Sequence, residues 1–247
     1  MTNRLKQTAG DWIAFIRAPR LDTQPPYGSR VTDVAWLFLL NCLIVAAIAA
    51  VLFPAMVLFD IEMSSDMSAL FQRPIWQILA IVVIAGPIVE ELAFRSWISG
   101  NPRLLVLLGG VITWIAGSHS LTQMGFSASD PIPVIALAAG IVIAIIAGFA
   151  LCWKKPVPGW FAKIFPALFW MQALIFGFIH VFNYAGDNPA ALLPFVLPQL
   201  VGGLIWGYAR IRYGWWSNIL MHMGYNFIAT SGLLVMLISG EGMLGSQ

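Results

Sequence analysis

Val89-Glu90-Glu91-Leu92-Ala93-Phe94-Arg95 lies towards the end of an apolar run that begins near Ile75. A charged group near the middle of a bilayer costs roughly 3 kcal/mol on insertion scales. Two adjacent carboxylates in such a run therefore need partners. On a helix Glu91 and Arg95 are four residues apart and share a face, so they can pair. Each helical residue turns the chain by about 100°, so Glu90 points away from that pair and towards another helix. The stretch predicts a transmembrane helix carrying one carboxylate neutralised within the helix and one that is not.

The rest of the composition agrees with a membrane setting. Of the 247 residues, 60% are hydrophobic and 10% charged, with a mean hydropathy of +0.83; soluble domains carry about 25% charged residues. The fold class is all-α, a polytopic transmembrane helix bundle with the lipid bilayer as its surroundings. A net charge of +2 does not point to nucleic acid as a partner. Cys42 and Cys152 both sit in apolar runs, which gives neither a disulfide framework nor a cysteine metal site. No cleavable signal peptide is expected, since the first thirty residues are polar.

Residues 1–33 form a basic segment containing Pro19, Pro25 and Pro26. Trp12, Ile13, Phe15 and Ile16 cluster between Asp11 and Arg17, which predicts a short interfacial helix. Seven apolar runs follow within a single transmembrane domain, 34–247. They fall near 34–58, 75–99, 103–121, 131–153, 164–184, 189–209 and 215–238, each long enough to cross about 30 Å of hydrocarbon. The third is the weakest, diluted by Gly117, Ser118, His119 and Ser120. Lys and Arg alternate between the connecting segments. Arg4, Lys6, Arg17, Arg20 and Arg30 precede the first span; Arg103, then Lys154, Lys155 and Lys163, then Arg210 and Arg212 occupy every second segment thereafter. The intervening segments hold only Arg73. Positive residues favour the cytoplasmic side, so the alternation predicts an N-terminus inside and a C-terminus outside.

Some marks concern packing. Gly140, Ala144 and Gly148 recur every four residues, as do Gly203 and Gly207, a spacing that lets helices approach closely in lipid. Pro194 and Pro198 interrupt the sixth run. Pro87 cannot donate to the carbonyl four residues back, Val83, and in lipid such a carbonyl must find protein or water. A polar pocket is expected beside it.

Two further stretches supply partners for Glu90. Phe176-Gly177-Phe178-Ile179-His180 puts Phe176 and His180 on one face, and His222-Met223-Gly224-Tyr225-Asn226 does the same for His222 and Asn226. A carboxylate, two imidazoles and an amide are the parts for activating water and for donating to an oxyanion. Two His and a Glu can also bind zinc, although no His-Glu-x-x-His occurs. At about 1.5 Å per residue, Glu90 comes about 14 Å, and His222 about 10 Å, from the inner ends of their spans. His180 comes about 24 Å from residue 164, so span five either enters the membrane later, near Phe169, or tilts.

Glu90-Glu91-x-x-x-Arg95, Phe176-x-x-x-His180 and His222-x-x-x-Asn226, in that order on hydrophobic segments, resemble the CPBP family of CAAX proteases and bacteriocin-processing enzymes, also called Abi. The resemblance covers about 75–99 and 164–230. It implies an intramembrane endopeptidase hydrolysing a peptide bond. By resemblance Glu90 is catalytic, His180 works with it on the water, His222 and Asn226 stabilise the oxyanion, and Glu91 and Arg95 support the site. It places the core on the helices near 75–99, 164–184 and 215–238. One departure is that 90 residues and two extra runs separate Glu90 from His180, where family members have the second motif on the next segment. An inserted helical hairpin keeps the up-down parity.

The reading is therefore a protease whose site opens towards the cytoplasm, acting on a peptide or protein substrate, with a prenylated C-terminal peptide, a leader peptide and a membrane-anchored regulator all open, and with no cofactor expected. One alternative is a zinc-dependent protease with Glu90, His180 and His222 as ligands. Another is a transporter or binding scaffold, against which stands the lack of an inverted repeat.

Overall fold

Backbone polar groups in lipid must be satisfied within the chain, which leaves helices as the way for these apolar runs to cross. The computed structural model describes residues 2–21, 30–126, 130–186 and 188–244, with side-chain surroundings up to residue 232. Pro25, Pro26 and the C-terminus, whose orientation the charge pattern predicts, lie outside the described residues. The described chain is helical and contains no strand, only an isolated antiparallel bridge between Met63 and Tyr184.

Among the described residues nine helical segments follow in order. α1 is Thr2–Arg17, α2 is Arg30–Leu58 and α3 is the short Ser65–Phe71. α4, Ile75–Ser99, is composite: α-helical over Ile75–Ile78, π-helical over Leu79–Ala85, α-helical again over Gly86–Arg95, with a 3-10 turn at Trp97–Ser99. α5 is Pro102–Gln123 and α6 is Pro131–Leu151. α7, Gly159–Asn183, tightens to a 3-10 turn from His180. α8, Pro189–Arg212, opens with short turns around Pro194 and Pro198 before a regular helix from Leu197. α9 is Trp215–Leu244. Among the described residues, α2 and α4 to α8 are long and apolar enough to span a membrane. The seventh predicted run falls on α9, whose side chains beyond 232 lie outside the described residues.

Contacts divide the chain into two units: Met1–Arg95 with Phe165–Gln247, and Ser96–Ile164. All three motif stretches belong to the first. Its centre is α8, in which Gly202 to Ile211 are buried without interruption. Gly203 and Gly207 explain how α7 comes so near. A Cβ at Gly203 would meet the Ala173 backbone at 3.3 Å, and one at Gly207 the Gln172 amide at 2.8 Å. α1 docks on this unit rather than lying apart: Trp12 and Phe15 are buried while Ile13 is exposed. The Phe15 ring packs on Phe169 at 5.1 Å and Tyr208 at 5.0 Å. That contact meets α7 at Phe169, eleven residues or about 16 Å before His180.

The second unit is the hairpin of α5 and α6. Gly110 faces Ile145 and Gly148 faces Val106 closely, whereas Gly140 meets nothing. The two helices bury none of their apolar windows inside the protein. His119, on α5, is exposed.

Candidate active site

Glu91 is the most heavily bonded side chain of the site. It is fully buried and accepts three hydrogen bonds, from Arg95 Nη1, from Asn218 Nδ2, and from His222 Nδ1 at 2.9 Å. The helical spacing that predicted the Glu91–Arg95 pair thus holds, and α9 supplies two more donors. Charge-assisted bonds of this kind are the strong ones, and a carboxylate in lipid needs several. Arg95 is also fully buried. Its guanidinium lies 4.4 Å from the Phe176 ring centre and 5.5 Å from that of Trp206, so two aromatic faces share its charge with Glu91. Arg210 Nε donates to the Arg95 carbonyl at 3.2 Å.

This network fixes His222. The ring is buried, stacked on Trp206 at 3.9 Å with a 20° interplanar angle. Glu91 accepts from Nδ1, which assigns the proton to that nitrogen and leaves Nε2 bare in the neutral ring. Nε2 lies 3.6 Å from Glu90 Oε2. Glu90 is the half-buried member of the pair, its side chain 32% exposed, and Oε2 has no other hydrogen-bond partner. The imidazole within ion-pair distance of Glu90 is therefore His222. His180 is held by its own helix: its Nδ1 donates to the Phe176 carbonyl at 2.6 Å, at the point where α7 tightens into a 3-10 turn. The Phe176 ring touches both imidazoles, at 4.7 Å from His180 and 5.9 Å from His222.

Asn226 has a backbone task. The sequence reading expects Pro87 to free the carbonyl of Val83. The π-helical segment shifts the register by one: Gly86 N–H donates to Ile81, five residues back. In that register Pro87 would serve Val82, and it has no N–H to give. Asn226 Nδ2 donates to the Val82 carbonyl at 2.8 Å. Single π-turns of this kind are common at functional sites.

His180, His222 and Asn226 line a cavity of about 280 Å³ together with Val82, Phe176, Trp206 and Tyr225; Glu90 is not among its walls. Met63, Met67 and Phe71 close one side of it. A shared zinc would require Glu90, His180 and His222 to converge. Among the described residues no three His, Cys, Asp or Glu side chains are grouped as they stand to hold one ion.

Sequence reasoning missed Asn218, Trp206 and Arg210. Asn218 was within reach: it precedes His222 by four residues, as His222 precedes Asn226, so all three share one face of α9. Arg210 reads as a loop cation in sequence, yet α8 continues past it and it is 8% exposed. Trp206 carries no signal in an apolar run.

The buried pair of Glu91 and Arg95, with His222, stands beside a partly polar chamber of about 280 Å³ inside a helix bundle. A family model described as "Type II CAAX prenyl endopeptidase Rce1-like" matches residues 71–228. The chain belongs to that family, which makes it a multi-pass membrane protein of intramembrane-endopeptidase type, with a peptide or protein substrate in the membrane. No curated protein and no solved structure matches it.

Proposed function

We propose that the protein hydrolyses a peptide bond with a water activated by Glu90, without a metal. The observation that carries this is the position of Glu90: its free Oε2 stands 3.6 Å from the bare Nε2 of a histidine that three buried groups hold in place. Glu90 takes a proton from water as its oxygen attacks the scissile carbonyl carbon, and that proton passes to the departing amine. His222 Nε2 lies beside Glu90 to share the proton. His180, with Nδ1 committed to Phe176, presents Nε2 as an acceptor that orients the water. Asn226 keeps a second amide hydrogen after serving Val82, available to the oxyanion. His222 can donate there only while doubly protonated, so the oxyanion role read from the resemblance moves chiefly to Asn226. Glu91, Arg95 and Asn218 act through His222. The Lys and Arg before α2, with Arg210 and Arg212 in the last turn of α8, support an N-terminus in the cytoplasm and a C-terminus outside.

Purified protein in detergent, offered a peptide library, tests the reading. Cleavage at defined bonds, absent in Glu90→Gln and unaffected by chelators, is expected. Stoichiometric zinc, with activity lost on chelation and restored by zinc, would replace the metal-free mechanism. No cleavage of any peptide would remove the peptidase assignment.

A further inference from the structure

Hydrogen-bonding groups shut inside a helix bundle are normally paired, because lipid offers no substitute for water. The wall that α8 gives the chamber departs from this rule twice. Gln199 and Trp206 both line it. They are seven residues, or two turns, apart and so share one face of the helix. The Tyr184 hydroxyl donates its one hydrogen to the Phe195 carbonyl at 3.1 Å. Its hydrogen bond with the Gln199 side chain is therefore donated by the Gln199 amide nitrogen. That orients the amide and leaves Gln199 Oε1 buried, with no donor among the described residues. Trp206 Nε1 is the converse, a buried donor with no acceptor among them. Its ring is clamped: it stacks on His222 at 3.9 Å, and its outer edge lies over Gly202, where an added Cβ would meet it at 3.0–3.3 Å. Hydroxyls in the same chamber, those of Tyr225 and Thr230, can rotate towards whatever is near. A clamped indole and an amide held by Tyr184 cannot.

A fixed acceptor and a fixed donor on one face fit the edge of an extended polypeptide, which offers N–H and C=O groups on the same side. Two helical turns are about 10 Å, and the indole, laid back over Gly202, shortens the gap to between about 5 and 10 Å. Backbone groups on one side of an extended chain recur every second residue, about 7 Å apart. Resting on the peptidase reading above, we propose that Gln199 and Trp206 hold the main chain of the substrate beside the scissile bond. Gln199 Oε1 accepts a substrate N–H, and Trp206 Nε1 donates to a substrate carbonyl. Because Trp206 rests on His222, its carbonyl is the one nearer the reacting bond. Both contacts go to backbone, so they read conformation rather than side chains. A helical segment commits its N–H and C=O groups internally and makes neither contact. The substrate class is then a polypeptide that runs extended through the chamber, with free backbone groups on one side of the cleaved bond.

An amide-to-ester scan of the substrate tests this. The probe is the library peptide that purified protein cleaves best, or that Glu90→Gln retains best, remade with one backbone amide at a time replaced by an ester outside the scissile bond. Each ester removes one N–H and weakens the carbonyl before it as an acceptor. The wild-type protein should lose about 3–10-fold in kcat/KM, the usual worth of one hydrogen bond, at one N–H and at one carbonyl on the same side of the scissile bond, and chiefly through KM. Gln199→Met, which has no acceptor, should be indifferent to the ester that removes the N–H. Trp206→Phe, which keeps a ring beside His222 but has no donor, should be indifferent to the ester that weakens the carbonyl. The ratio of ester to amide is taken within each variant, so a lower yield of folded protein does not alter it. A wild type equally tolerant of every ester overturns the inference, as does either variant keeping the wild-type pattern of losses. Binding of the same labelled peptides to Glu90→Gln, read by fluorescence anisotropy, separates this from the peptidase reading. Position-dependent binding without cleavage by the wild type keeps the two contacts and removes the peptidase. Cleavage without position dependence does the reverse, and neither binding nor cleavage removes both.

Discussion

Replacing Arg95 by Met removes a fully buried guanidinium while keeping much of its bulk. The partner left behind is Glu91, also fully buried, which keeps its bonds from Asn218 and His222 but loses the guanidinium bonded to it. Breaking a buried pair by removing one partner costs about 3–5 kcal/mol in soluble proteins. Two surviving donors put this case at the low end, about 3 kcal/mol. Helices unfolded within a membrane or micelle find other partners, which takes back about 1 kcal/mol. The net loss for Arg95→Met is then about 2 kcal/mol, a fall of about 4–8 °C in thermal midpoint for a chain of this size. The decisive comparison is the double variant Glu91→Gln with Arg95→Met. It removes both charges, so no unpaired carboxylate remains, and replacing both members of a buried pair is often close to neutral. Thermal unfolding in detergent should therefore rank the double variant above Arg95→Met alone. A double variant as unstable as the single one, or less stable, refutes the claim that the loss comes from stranding Glu91. Hydrolysis should fall in both, because each disturbs the group that holds His222.

Three further outcomes follow from the same geometry. Glu90→Gln keeps the shape but cannot take a proton, so it should lower the rate by about 10²–10⁴-fold, the usual worth of a general base, with the thermal midpoint unchanged; full activity would remove Glu90 from the reaction. Asn226→Ala strands the Val82 carbonyl at a cost of about 1–3 kcal/mol, and the loss should shrink in a Pro87→Ala background, where an N–H is restored to serve that carbonyl. The same thermal scan reads both variants, and an equal loss in the two backgrounds would sever Asn226 from the proline. Lys155→Cys, in the loop after α6, should be labelled by an impermeant thiol reagent only from the cytoplasmic side; labelling from outside intact cells would invert the orientation.

Hydropathy along the chain determined the helical class and most of the span limits, because the requirement to bury backbone in lipid acts on each run separately. The Glu91–Arg95 pair was equally legible, since a four-residue spacing within one helix fixes which side chains meet. Glu90, His180, His222 and Asn226 could be named as residues but not given partners. That His222 turns Nδ1 to Glu91 and Nε2 to Glu90, and that Asn218 joins them, depends on the rotation of α9 against α4. The service of Asn226 to Val82 rather than Val83 depends on a π-helical register that no local periodicity announces. Relative rotation and register of helices are set by packing between them, which is why only the tertiary structure decides them.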